Sequence, residues 1–146
     1  MNTGTQQFTL YDAEAKLSRG RVFQKLPELQ AWVDELRETW WWQRFYPQVV
    51  RVEVGPARNR RESVGWFEAK QGAGRIEMTP TARDVRSITH ELAHVMTAAL
   101  HGDGHGHDPV FAREYGNLTW FISGPQAWLN LQAAYVRHGV DYGQDA

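Results

Sequence analysis

His90-Glu91-Leu92-Ala93-His94 sets two imidazoles four residues apart, with a carboxylate directly after the first. On a helix, positions i and i+4 lie on one face about a turn apart, so both rings can turn toward a single ion. Glu91 then falls one step round the helix, where its carboxylate reaches a water on the ion's open side instead of becoming a ligand. Such an ion lowers the pKa of a bound water toward neutrality, and a carboxylate beside it can take the proton and deliver it to a leaving amine. The spacing points to Zn2+-assisted hydrolysis of an amide, with His90 and His94 as ligands and Glu91 as the catalytic base.

Catalytic zinc sites use three protein ligands and keep a fourth position open. After Leu100 the chain reads His101-Gly102-Asp103-Gly104-His105-Gly106-His107-Asp108-Pro109. Gly102 is a natural helix end, and the next glycines let the backbone turn back across the site. His107 leads as third metal ligand, because Asp108 and Pro109 read as the N-cap and first turn of a following helix that would hold it rigidly. His105, His101 and Glu114 stay open as alternatives. Asp103, Asp108 and Glu114 are candidate acceptors for the ring N–H groups.

The run His90-Glu91-Leu92-Ala93-His94 followed by Gly106-His107-Asp108-Pro109-Val110-Phe111 resembles the H-E-x-x-H … H-G-x-x-F arrangement of SprT-like (Spartan-like) zincins. There the histidine four before the aromatic is the third zinc ligand, which falls here on His107. The chain departs from that pattern at Asp108, where the family has glycine. Across residues 8 to 140 it also resembles small metallohydrolases of actinobacteria and their phages, through an F-x-L-Y-D-A-E opening, a Leu-Pro-Glu-Leu-Gln-Ala-Trp-Val-Asp helix and an H-x-P-x-F segment. The resemblance implies an α+β, zincin-like fold, a metallopeptidase acting on a protein or peptide, and the cytoplasm of an actinobacterium or a phage-infected host cell. It also implies an edge strand beside the metal helix that pairs with extended substrate, and Arg75-Ile76-Glu77-Met78 is the candidate.

Composition narrows the classes. With 146 residues and 42% hydrophobic content, the chain has material for one core, expected as a single domain over residues 8–142 behind a flexible stretch, 1–7. Zero cysteines exclude disulfides, thiolate ligands and cysteine nucleophiles. No apolar run of membrane length and no signal-like N-terminus is present, which points to an intracellular protein. A net charge of −1 gives no global pull toward nucleic acid. Arg51, Arg58, Arg60 and Arg61 gather near Val54-Gly55-Pro56-Ala57 and could touch phosphate, but such a group on a turn is more commonly solvated.

The elements that must position the motif read β-α-β-β-β-α-loop-α-α. Val85, Ile88, Leu92, Val95, Met96 and Ala99 recur at helical spacing and place the motif mid-helix, with capping candidates in the residues before them. Strands are expected over Phe8 to Asp12, Val22 to Lys25, Val49 to Val54, Ser63 to Ala69 and Arg75 to Met78, with a hairpin signal at Gln71-Gly72-Ala73-Gly74. A helix opening at Pro27 carries Leu29, Trp32, Val33, Leu36 and Trp40 on one face and ends before Pro47. It and the metal helix should pack on a small twisted sheet. Of Trp40, Trp41 and Trp42 at least one must be at a surface, since three consecutive residues cannot share one face. Trp120, Phe121 and Trp128 read as core on a C-terminal helical segment broken at Gly124-Pro125. Two other functions fit the same motif: a zinc-stapled protein-binding module without catalysis, and a metallo-amidase acting on a non-peptide substrate.

Overall fold

The computed structural model describes residues 3–59 and 61–143, with the side chains of the first helix described at Gln6 and from Thr9 onward. The protein is α+β: α1 (Thr3–Glu14), α2 (Leu26–Arg37), α3 (Trp40–Phe45), β1 (Arg51–Pro56), β2 (Val64–Glu68), β3 (Ala73–Met78), α4 (Val85–His101), α5 (Pro109–Ser123) and α6 (Pro125–His138). They form two compact units, Arg19–Gly102 and the pair of segments Met1–Ser18 and Asp103–Ala146. The sequence reading has a single domain over 8–142.

The unit Arg19–Gly102 is built on a three-stranded sheet of order β1-β3-β2. β1 runs parallel to β3, from Arg51 opposite Ala73 to Pro56 opposite Met78, and β2 runs antiparallel to it, from Val64 opposite Glu77 to Glu68 opposite Ala73. The β2–β3 link is the expected hairpin, closed by a 3-10 turn over Ala69–Gln71 and by Gly72 at φ 59°. β1 and β2 do not pair with each other, because β3 lies between them. The strand over Arg75–Met78, expected at the edge beside the metal helix, is therefore the centre of the sheet. The edge strand packed on that helix is β2.

Asp84 starts α4 by accepting the Ser87 N–H at 2.8 Å, and Arg19 Nε holds the other oxygen of this buried carboxylate at 2.8 Å. The helix lays Ile88, Leu92, Val95 and Met96, all fully buried, into the core. Two glycines let the sheet come close to it. A Cβ on Gly65 would stand 2.5 Å from the Glu91 carbonyl oxygen, and one on Gly74 would stand 2.7 Å from Val95 Cγ1.

Helix α2 buries Leu29 and Val33 and packs on β1. Its Gln30 acts as a short substitute for a neighbouring strand: Nε2 donates to Val52 O at 2.8 Å and Oε1 accepts from Val54 N at 2.8 Å. Arg37 adds a bond to Val50 O, so the outer edge of β1 is covered by side chains. The outer edge of β2 is different. Among the described residues its outward N–H and C=O groups have no partner strand. Gln30→Ala is expected to lower stability by about 1–3 kcal/mol, because two partly buried backbone groups lose their partners together. A urea midpoint shift at constant slope checks this, and an unchanged midpoint would show that water replaces the amide without cost.

The single helix expected from Pro27 toward Pro47 is two helices. Glu38 and Thr39 N–H groups bond three residues back, tightening the last turn, and Thr39 Oγ1 bonds Leu36 O at 2.5 Å. Thr39 is extended, at φ −73° and ψ 152°, and starts α3 in a new direction. This splits the tryptophans as their adjacency requires: Trp41 and Trp42 are buried while Trp40 is 69% exposed. Val22 to Lys25 is not a strand. Val22 makes one isolated bridge to Asp84, and buried Phe23 donates to Arg83 O at 2.7 Å.

In the other unit, the expected strand over Phe8–Asp12 is helix α1. Among its described side chains Gln6, Leu10, Ala13 and Glu14 are buried, spaced four, three and one apart, a helical and not an alternating pattern. It begins at Thr3, within the stretch expected ahead of the domain; Met1 and Asn2 lie outside the described residues. α5 and α6 are separated where Gly124-Pro125 predicted, with Gly124 at φ 94°. Gly116 gives α6 its close approach, since a Cβ there would meet Trp128 Cζ3 at 2.3 Å. Buried Tyr135 donates to Ala112 O at 3.1 Å. Burial pushes its phenol well above its ordinary pKa, and the charge of Glu14 adds to the effect. Trp120 is a correction: it is 47% exposed, because it lies on the side of α5 away from Leu118 and Thr119. Phe121 and Trp128 are half-buried. Among the described residues, no helix is long and apolar enough to cross a membrane.

Candidate metal centre

The site grows from the middle of α4. His90 and His94 stand one turn apart on that helix with ring centroids 5.1 Å apart and planes at 69°, so the expected i, i+4 convergence is present. His90 is buried and His94 half-buried. Glu91, 7% exposed, follows His90, and its backbone is the part of α4 that touches Gly65 of β2.

His107 comes from the loop that Gly102 opens. Gly102, Gly104 and Gly106 take φ of 88°, 92° and 59°, conformations that side chains resist. Asp108 then caps α5, its Oδ1 accepting the Phe111 N–H at 3.1 Å. Asp108 itself is extended, at φ −76° and ψ −178°, so glycine is not needed at this position, and Gly106 supplies the left-handed turn instead. The side chain of His107 lies against two aromatic rings, Phe111 at 4.9 Å between centroids and Tyr11 at 5.3 Å.

His90, His94 and His107 each offer a nitrogen, and these atoms all lie within 4.8 Å of one another, a group that could hold a metal ion. Tetrahedral ligands at 2.0–2.1 Å from zinc sit about 3.4 Å apart, a spacing of the same order as that of the three nitrogens. The donor chemistry fits as well: neutral imidazoles suit zinc and other borderline transition metals, and glutamate beside them remains available as a base. The alternative third ligands are elsewhere. His105 Nδ1 pairs with Asp108 Oδ2 at 2.8 Å, His101 is exposed at the helix end, and Glu114 is buried on α5 outside the group. Asp108, a candidate acceptor for a ligand ring, thus serves His105 and the α5 cap.

The arginine cluster is partly neutralised. Arg51 pairs with Glu53 at 3.1 Å and Arg58 with Glu77 at 2.8 Å; Arg61 is exposed and Arg60 lies outside the described residues. A concavity of about 380 Å3 is lined by Trp66, Arg75 and Glu77 on the sheet, and its charges are matched by ion pairs within it, as between Arg75 and Glu68 at 3.3 Å. It is separate from the imidazoles. Sequence reasoning missed Gly65, Gln30 and Tyr11. The first two act through strand order, which no periodicity reveals, and Tyr11 was assigned to a strand.

No family model, curated protein or solved structure matches this chain.

Proposed function

We propose that this protein is a zinc-dependent hydrolase that cleaves peptide bonds, as its resemblance to SprT-like zincins implies. The observation that supports it most is the convergence of His90, His94 and His107 beside a glutamate that is not in the ligand group. Zinc held there would act as a Lewis acid on the scissile carbonyl and on water. Glu91 accepts the proton of the attacking water on its carboxylate and hands it to the departing amine nitrogen. Burial of Glu91 keeps bulk water from competing for that proton.

Substrate orientation would fall to β2. One face of β2 packs on Glu91 through Gly65 and its outer edge has no partner strand among the described residues, so an extended peptide added there would run along the strand nearest the base, gripped by backbone hydrogen bonds without a demand for sequence. This replaces the strand over Arg75–Met78, which is enclosed on both sides.

Elemental analysis of purified protein, paired with digestion of a proteome-derived peptide library, tests the reading. Close to one equivalent of zinc is expected, together with cleavage that a chelator abolishes and added zinc restores. Zinc without cleavage of any peptide would favour a stapled binding module or an amidase. Absence of zinc from protein refolded with it would end the metal reading.

A further inference from the structure

Nothing in the proposed chemistry uses the N-terminal helix. Yet α1 carries a tyrosine to the third ligand. Gln6, Leu10, Ala13 and Glu14 make the buried stripe of α1, and Tyr11 stands at its rim, about 100° round from Leu10 and 42% exposed. Its ring centroid is 5.3 Å from that of His107 with planes at 56°, within the range in which aromatic pairs attract. His107 needs such support more than its two partners do. His90 and His94 rise from the middle of a helix, whereas His107 follows three glycines whose backbones have wide freedom. The Asp108 cap steadies the backbone after His107, and the rings of Tyr11 and Phe111 pack against its imidazole.

We infer that Tyr11 is a positioning residue for the metal site: its ring, together with Phe111, holds the imidazole of His107 in the orientation that ligation requires. The inference rests on the zinc-binding part of the proposed function and is independent of what substrate is cut. The inference assigns the effect to the ring, whose packing against His107 is the contact observed.

Zinc affinity, measured by competition with a chromogenic chelator, tests this on the full chain. Tyr11→Phe should bind as native protein does. Tyr11→Ala should bind about 3- to 10-fold more weakly, with faster release of zinc, while the metal-free proteins melt within a few degrees of one another because the residue is half exposed. Tyr11→Leu, which keeps bulk without a flat ring, should behave like Tyr11→Ala and covers the case in which the smaller side chain impairs folding. Tyr11→Ala and Tyr11→Leu matching native affinity would overturn the inference and leave the metal reading standing. Tyr11→Phe binding as weakly as Tyr11→Ala would also overturn it, by assigning the effect to the hydroxyl. Native protein that takes up no zinc would remove both readings together.

Discussion

Glu91→Gln is expected to take up zinc as tightly as native protein and to hydrolyse peptides about 10²- to 10⁴-fold more slowly. The two side chains have the same shape, so the core around α4 need not rearrange, but an amide cannot accept a proton from water near neutral pH. Affinity is retained because Glu91 is outside the three-nitrogen group. Because the change is isosteric, the variant should be about as stable as the parent. The loss should fall on kcat, with KM little changed, since proton transfer belongs to the transition state and not to substrate capture. Steady-state kinetics on one peptide recovered from the library digest, beside a zinc titration of the same preparation, measures both. Zinc affinity falling together with kcat would make Glu91 a ligand. Unchanged kcat would exclude it as the base.

Gly65→Ala is expected to cost about 1–3 kcal/mol of stability, and more than Gly74→Ala does. The reason lies in what each new methyl meets. At Gly65 it would stand 2.5 Å from the carbonyl oxygen of Glu91 and 3.1 Å from its carbonyl carbon, atoms fixed by the α4 hydrogen-bond ladder. At Gly74 it would stand 2.7 Å from a methyl of Val95 and 3.0 Å from a methyl of Val52, side-chain atoms that yield by a few tenths of an ångström more readily than helix backbone does. Chemical denaturation of both variants and of the double change with Val95→Ala distinguishes the cases. Trimming Val95 should recover much of the loss at Gly74 and none at Gly65. Equal cost at both positions would mean that β2 slides away from the helix freely, and the strand would then be a poor guide for substrate beside Glu91.

The metal motif was legible because it is local. His90 and His94 converge through the geometry of one helix, and Asp84, Gly102 and Asp108 mark helix ends by chemistry confined to a few residues. The positions of the three sheet strands also followed, since Val52 and Ile76 alternate with charged neighbours, whereas the strands expected at Phe8–Asp12 and Val22–Lys25 are absent. Strand order did not, because pairing β1 with β3 in parallel joins residues about twenty apart, and no alternation pattern records which neighbour a strand chooses. The strand expected at the edge, Arg75–Met78, is for that reason central in the sheet. The first helix was misread for another reason: Phe8, Leu10 and Tyr11 are compatible with a strand, and only the burial of Ala13 and Glu14 beyond them reveals the longer period. Trp120 shows the limit of composition. Large aromatic residues usually fill interiors, but a residue's turn on the helix decides, and this one faces outward.

The Gln30 amide has a consequence for how these molecules meet one another. A sheet with two bare sides can recruit a copy on each and polymerise into an endless ribbon. Here the β1 side is sealed from within, so among the described strands β2 is the one edge at which a guest strand could add, and two copies meeting there would exhaust each other's capacity. Self-association by this route stops at a pair, and a peptide occupying β2 would prevent even that.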